Sequence, residues 1–566
     1  MQIFEHQVLV VGGGLAGLRA AIEAKQECDV AIISRVHPVR SHSIAAQGGI
    51  NAALRNHPEG KDDDPDKHAF DTVKGSDYLA DQDAALIMAR DAPDHVYEMD
   101  HWGALFSRMP DGKIAQRPFG GAGFPRTCFA ADRTGHHLLH TLNEQSTRYD
   151  IKLYEERLVT SVAVENNRCH GLVALNMISG ELEVYLAQAV IIATGGAGRI
   201  YHKSTNALIN TGSGTAAAYR AGAQLEDMEF IQFHPTTLLG TNILISEASR
   251  GEGGYLLNKE GKRFMEKYAP EAMELAPRDI AARSIQTEID TGHGFPGGYV
   301  HLDLRHLGKE KILELLPGIR TLAMDFAGVD PILEPIPIQP GQHYTMGGID
   351  TNIDGHTCVD GLLAAGEAAC VSVHGSNRLG GNSLLDTLVF GKRSGAGAVK
   401  YIGENNPVAD KKMVEDLWEK EEKKINNLLN GDGREDYKEL SSRMKETLTD
   451  KLGIFRQESE IKEAIDILTE LRERYSQVTV RNKDRHYNLE LVNTLELEGM
   501  LNLAETVAWG ALNRRESRGS HYRTDYEKRD DQNWLRHTLA TYTEEGPVMS
   551  GKDVVITKFK PQERKY

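Results

Sequence analysis

A few short segments carry side chains whose types and spacing can grip an anion and move a proton. In the run Leu244-Ile-Ser246-Glu247-Ala-Ser-Arg250-Gly251-Glu252-Gly253-Gly254, Ser246 can donate to a carboxylate. Glu247 and Arg250 place an acid and a base in one loop, the makings of a proton relay. In His374-Gly375-Ser376-Asn377-Arg378-Leu379-Gly380-Gly381-Asn382-Ser383-Leu384, Arg378 can hold a carboxylate with two parallel hydrogen bonds. Asn382 or Ser383 is expected to cap the helix that follows, whose N-terminus favours negative charge. His234 precedes Pro235 and is thereby pushed into an extended or turn conformation. Arg278, in Glu274-Leu275-Ala276-Pro277-Arg278-Asp279, reads locally as a turn residue that pairs with Asp279. For it to exchange a proton it would need a desolvated site and a relay, because a guanidinium is ordinarily always protonated.

The elements that must position these groups begin at the N-terminus. Residues 7–11, Gln-Val-Leu-Val-Val, read as a short buried strand. Gly12-Gly13-Gly14-Leu15-Ala16-Gly17 follows and leads into an amphipathic helix at Leu18–Lys25. This is GxGxxG between a strand and a helix. Gly12 permits the tight turn, Gly14 lets the backbone approach a pyrophosphate, and Gly17 lets the helix pack on the strand, whose helix N-terminus then holds the phosphates. A second strand, 29–33, ends in Ser34-Arg35, where a plain NAD site would carry an acidic residue. Serine still serves a ribose hydroxyl, so dinucleotide binding survives. Ala189–Gly196 forms another buried strand ending in the ATGG pattern of glutathione-reductase-type flavoproteins, and Gly361–Glu367 returns to the same pattern. A dinucleotide domain interrupted by an insertion between about residues 232 and 350 indicates FAD rather than NAD.

The bulk properties are compatible with this. A chain of 566 residues needs several cores, and 40% hydrophobic with 26% charged residues is an ordinary globular composition. The net charge of −17 argues against nucleic acid as a partner, while a few arginines in a cleft still set a local field for an anionic substrate. Five cysteines without a CxxC pair make a metal or iron–sulfur site on this chain unexpected. No apolar run reaches the roughly 20 residues of a membrane span, and the first residues carry no signal-like stretch. The chain is therefore expected to be mature as written or cytosolic by synthesis, with membrane contact only through partners.

Arg40-Ser41-His42-Ser43-Ile44-Ala45-Ala46-Gln47-Gly48-Gly49-Ile50 resembles the flavin-attachment segment of succinate dehydrogenase and fumarate reductase flavoprotein subunits. The resemblance implies an 8α-histidyl bond from His42 to FAD, which in that family makes the flavin a stronger oxidant. It also implies cofactor contacts at Gly12, Gly13, Gly14, Leu15, Ala16, Gly17, Ser34, Arg35, Ser41, Ser43, Ala46, Gln47, Gly48, Gly49, Val159, Ser213, Glu367, Arg378, Ser383 and Leu384. Ser43 and Ser213 depart from the threonine and aspartate usual there, and the Ser213 contact is the weaker for it. Gln47 looks more like the dehydrogenases, since the reductases often carry glutamate. The segment around His234 and the segment His343-Tyr344-Thr345-Met346-Gly347-Gly348-Ile349 resemble those of the family's two substrate histidines, and Ser246 replaces a threonine with its hydroxyl kept. By the same resemblance Arg278 exchanges the proton with substrate, Glu247 and Arg250 relay it, Arg378 and Gly49 bind substrate, and the Phe119 ring packs on it. The helix after Asn382 would stabilise charge on the reduced flavin.

From about residue 408 the chain turns to charged, helix-periodic sequence with Glu and Lys four apart, and Glu516-Ser517-Arg518-Gly519-Ser520-His521 resembles the family's C-terminal segment. In that family electrons pass to an iron–sulfur subunit, and a membrane anchor serves quinone. The resemblance therefore implies a peripheral place on the cytoplasmic face of a prokaryotic inner membrane. The expected architecture is an α/β FAD-binding, Rossmann-like domain of the glutathione-reductase type (1–231 and 351–408), an inserted α+β capping domain (232–350), a helical domain (409–537) and a C-terminal segment (538–566). The nearest rivals are L-aspartate oxidase, which shares LISEASRGEGG and ELAPRD but lacks the attachment histidine, and a soluble fumarate reductase with loosely held FAD. A non-catalytic FAD-bearing scaffold is disfavoured, because His234, Arg278, His343 and Arg378 are all present.

Overall fold

A computed structural model describes residues 1–564. Its central sheet has the strand order Lys152–Glu155, Val30–Ser34, Gln2–Val11, Leu182–Ile192, Arg168–Asn176, Arg157–Glu165. The first four run parallel. Leu182–Ile192 pairs antiparallel with Arg168–Asn176 along its first half and parallel with the returning strand Leu362–Ala364 along its second. The hydrophobic run 8–11 is explained by burial on both faces. Val8 and Val10 enter one core with the helices Leu15–Ala24, Gln82–His101 and Asn382–Asn405, while Leu9 and Val11 enter another with the helices Ser213–Arg220 and Leu489–Asn513.

The glycine turn works by contact. Gly12 sits at φ +115°, and a Cβ on Gly17 would lie 1.9 Å from the Gly12 carbonyl oxygen. Only glycine lets the helix Leu15–Ala24 approach this closely.

A four-stranded antiparallel sheet, ordered Ile231–Leu238, Ile336–Thr345, Val300–Asp303, Tyr255–Leu257, has its own core with Leu238, Ile285, Leu302 and Ile338. The helix Arg278–Asp290 packs on its edge strand Ile231–Leu238. The expected break at 231/232 falls on the first residues of that strand. A five-stranded sheet joins Ala369–Cys370, Gly348–Asp350, Leu225–Glu226, Arg536–Thr541 and Val548–Asp553, so the expected break at 537/538 falls inside a strand that pairs with the N-terminal half.

Four long helices, Lys411–Asn430, Tyr437–Lys451, Glu458–Tyr475 and Leu489–Asn513, follow the sheet strands. The first three bury one face, and the last is buried along most of its length against the FAD-binding fold. Behind it, Arg514 donates to Glu229 at 2.7 Å, Arg518 to Glu516 at 2.7 Å and to the Asp77 carbonyl at 2.8 Å. Arg514, Glu229, Arg518, Glu516 and Asp77 are all buried. A buried pair of this kind is costly to break from one side.

Two local expectations are corrected. The helix Asn382–Asn405 is capped by neither Asn382 nor Ser383. Its N-cap is Gly381 at φ +84°, and Asn382 is tied sideways to Asn51 (2.8 Å) and Thr72 (2.9 Å). Arg278 does not pair with Asp279, which instead takes Arg283 (3.0 Å) and Arg564 (2.7 Å).

Candidate active site

The site lies where the four-stranded sheet closes over the carboxyl ends of the central strands, the usual place for a ligand in an open α/β sheet. A cavity of about 460 Å³ runs from Gly12–Ala16, Ser34 and Arg35 past Ser41–Ser43 and Ala46–Gly49 to Phe119, His234, Ser246, Glu247, Arg278, His343 and Arg378. Val159, Ser213, Glu367, Ser383 and Leu384 also line it. Of the expected contacts, Gly17 and Arg250 do not line it: Gly17 lies under the turn, and Arg250 stands behind Glu247.

The sheet register sets the histidines. His234 faces Gly341 on the neighbouring strand across an irregularity, which brings the His234 and His343 rings to 5.0 Å between centroids. Nδ1 of His234 accepts from the Thr236 backbone N–H at 3.2 Å, and Nδ1 of His343 meets Thr205 Oγ1 at 2.8 Å. Burial first, and Arg278 second, hold His234 well below its ordinary pKa; burial, then His234 and Arg278, do so for His343. Both rings are therefore neutral donors near pH 7.

Arg278 starts the helix that packs on this strand. Its Nε donates to Glu247 Oε2 at 2.8 Å and its Nη1 to Gln232 Oε1 at 3.0 Å. Arg378 Nη2 donates to the same Gln232 oxygen at 3.0 Å, so one amide spaces two guanidiniums. The other oxygen of Glu247 accepts from the Gly120 N–H at 2.8 Å and lies 4.0 Å from Arg250. Arg250 is anchored on the Glu274 carbonyl at 2.6 Å. Burial alone would raise the Glu247 carboxyl, but Arg278 and Arg250 outweigh it and hold it below its ordinary range. Burial, and after it Arg278, pull Arg378 down to about 9. Two or three cations around one carboxylate leave excess positive charge facing the cavity, as a dianion requires.

His42 lies at the start of a short 3-10 turn, Nδ1 accepting from the Ala207 N–H at 3.3 Å and Nε2 3.4 Å from Asn206 Nδ2. Burial, with Arg199 second, lowers its pKa to about 4. The residues fit a dinucleotide cofactor. The glycine cradle has no room for Cβ atoms at Gly12 or Gly17, and the buried polar atoms Thr194 Oγ1, Gln47 Oε1, Asn206 Oδ1 and Arg378 Nε have no protein partner among the described residues. Glu367, raised by burial to about 7, accepts only the Thr345 N–H among the described residues.

Sequence reading passed over several groups here. Gln232, Asn206, Thr205 and the Thr241–Leu244 stretch all line or brace the cavity, and Arg117 donates to the Gln47 and Gly48 carbonyls. The hydroxyl- and amide-rich run Ser204-Thr205-Asn206 was the available signal.

Comparison with known proteins agrees with this geometry. Residues 7–384 match the FAD binding domain model, and residues 441–566 match the fumarate reductase flavoprotein C-terminal model. The chain is 44% identical to the fumarate reductase flavoprotein subunit of Mycobacterium tuberculosis (strain ATCC 25618 / H37Rv), with 99% of each chain covered. The chain belongs to the succinate dehydrogenase/fumarate reductase flavoprotein subunit family. It is also 44% identical to the succinate dehydrogenase flavoprotein subunit of Rickettsia conorii, over 98% of this chain and 96% of that one. An E. coli quinol fumarate reductase structure superposes with a TM-score of 0.96 at 40% identity, covering 100% and 99% of the two chains. The expected fold class, an FAD-binding α/β fold with a C-terminal helical part, is thereby established. No helix among the described residues is long and apolar enough to cross a membrane.

The buried neutral histidines have a consequence for stability. His68 is lowered by burial to about 3, and His234 and His343 lie well below 6.5. As pH falls below 6.5 the unfolded chain protonates these histidines and the folded chain does not. Stability therefore declines with falling pH, by about 1.4 kcal/mol per pH unit for each such group. Thermal unfolding of the protein at pH 6.5 and pH 5 should show a drop of several degrees; a flat profile would mean that these rings are charged in the folded state.

Proposed function

We propose that this chain interconverts succinate and fumarate on FAD attached covalently to His42, and that it passes electrons to an iron–sulfur subunit and from there to quinone through a membrane anchor. The observation that carries this reading is the arrangement of Arg278, Arg378, His234 and His343 around one end of a cavity whose other end is the glycine turn. Bound FAD supplies the acceptor or donor of the hydride. The protein residues do the rest. Arg378, His343, His234 and Ser246 hold the two carboxylates, and the Phe119 and Gly49 side of the cavity limits the length of the substrate. Arg278 carries the proton to or from the adjacent carbon, and Glu247, in contact with it on one side and near Arg250 on the other, returns it toward the outside. The Nη2 of Arg278 is bonded to none of the described residues and is the nitrogen available for that exchange.

The partner assignments rest on relatives named as flavoprotein subunits and on a similar solved structure named as a quinol fumarate reductase. A peripheral position on the inner face of a prokaryotic cell membrane goes with them.

The test is turnover of the purified flavoprotein with an artificial electron acceptor. Succinate should reduce the acceptor, fumarate should oxidise a reduced dye, and L-aspartate should do nothing. Activity with aspartate and none with succinate would transfer the protein to the aspartate oxidases. Within this scheme Glu247→Gln removes the charge that holds Arg278 while keeping its shape, and turnover should fall about 10²-fold with KM for succinate nearly unchanged. A fall in affinity without loss of kcat would make Glu247 a binding residue only.

A further inference from the structure

The strand Val30–Ser34 ends without the carboxylate that a dinucleotide fold commonly uses for the ribose. What the strand end offers instead is Arg35, which lines the cavity beside Gly12–Gly14, Ser34 and Val159. Its Nη1 is paired with Glu496, a residue 461 positions away on the helix Leu489–Asn513. Thr211 Oγ1 donates to the same Glu496 oxygen at 2.7 Å. The side chain of Glu496 is 2% exposed and that of Arg35 is 18%. Nε and Nη2 of Arg35 make no hydrogen bond to any described residue.

Close packing brings Glu496 this near. One turn beyond it, Gly499 lies so close to the helix Ser213–Arg220 that a Cβ there would stand 2.8 Å from Ala216 Cβ, and a Cβ on Gly212 would stand 2.4 Å from Leu503. Glycine at both crossing points lets the two helices seat the carboxylate beneath the groove. A small second cavity is lined by Glu496 and Arg220 and shares Leu158, Val159 and Ser213 with the main one.

We propose that Glu496, on the C-terminal helical part, is the positioning residue that holds Arg35, the cofactor contact implied by the resemblance, toward the adenosine diphosphate half of FAD, so that the helical part completes the cofactor site. The proposal rests on the FAD reading given above. A planar guanidinium held along one edge still presents its face to a purine and its other donors to ribose or phosphate oxygens. Without Glu496 the side chain is free to rotate away from the groove.

The test uses the full chain carrying His42→Ser, in which FAD is held reversibly and its affinity can be titrated. In that background Arg35→Ala and Glu496→Gln should each weaken FAD, and ADP used as a competitor, by about tenfold. The double variant should be no weaker than the worse single variant, and affinity for riboflavin 5′-phosphate, which lacks the adenosine half, should not change. Thermal unfolding of each variant separates a merely structural pair from a positioning one. A lower unfolding temperature with unchanged ADP affinity, or fully additive losses in the double variant, would overturn the proposal. Failure of the His42→Ser chain itself to bind FAD would instead overturn the flavoprotein reading on which the proposal stands.

Discussion

Arg278→Lys should lower kcat by about 10³-fold or more, the scale of a lost proton-transfer and charge-stabilising group, with the flavin still bound and KM for succinate little changed. The geometry gives the reason. The guanidinium reaches Glu247 through Nε and Gln232 through Nη1, and these two bonds fix the direction of the remaining nitrogen. A lysine ammonium keeps the charge but is a single point. It can take Glu247 or Gln232, and in neither case does it present a second donor to the substrate in a fixed direction. The cofactor end of the cavity, at Gly12–Ala16 and His42, is untouched by the change. Steady-state rates with succinate, together with the flavin spectrum of the same sample, check both halves of the expectation. Near-normal turnover would remove Arg278 from the proton path.

What could be read beforehand divides along sequence distance. The glycine turn is legible because Gly12, Gly14 and Gly17 act within one strand–turn–helix unit, and the structure places their limits there. Arg278, Arg378, His234 and His343 were legible as types in distinctive local runs, although only the fold brings them to one cavity. Gln232 was invisible as a spacer because its role depends on two arginines that lie 46 and 146 residues away. Glu496 was hidden in the same way, in a helix whose sequence gives no hint that one of its carboxylates reaches the first Rossmann crossover. The helix cap failed for a different reason. Asn382 has the chemistry of a cap, but tertiary partners at Asn51 and Thr72 take its side chain, and Gly381, free to adopt positive φ, makes the entry.

His42→Ser should abolish the fluorescent band that the native chain leaves after full denaturation, and it should slow succinate oxidation more than fumarate reduction. The imidazole is set up for a bond at one nitrogen. The Ala207 N–H donates to Nδ1, Nε2 faces the cavity beside Asn206, and burial holds the pKa at about 4, so the ring is neutral at any working pH and Nε2 would give up its one proton on forming the bond. Serine removes the nucleophile and leaves the glycine cradle and the substrate clamp in place, so FAD should still enter and be released on denaturation. In the family that this segment resembles, the covalent bond makes the flavin a stronger oxidant. Losing it weakens the hydride acceptor and helps the donor. Each 1.4 kcal/mol of lost driving force can slow oxidation by roughly tenfold, whereas fumarate reduction has no such loss. Gel fluorescence, with both rates measured on one preparation, reads the two effects separately. A dark band from the native chain would sink the covalent assignment, and equal slowing of both directions would mean that His42 serves only to keep the cofactor in place.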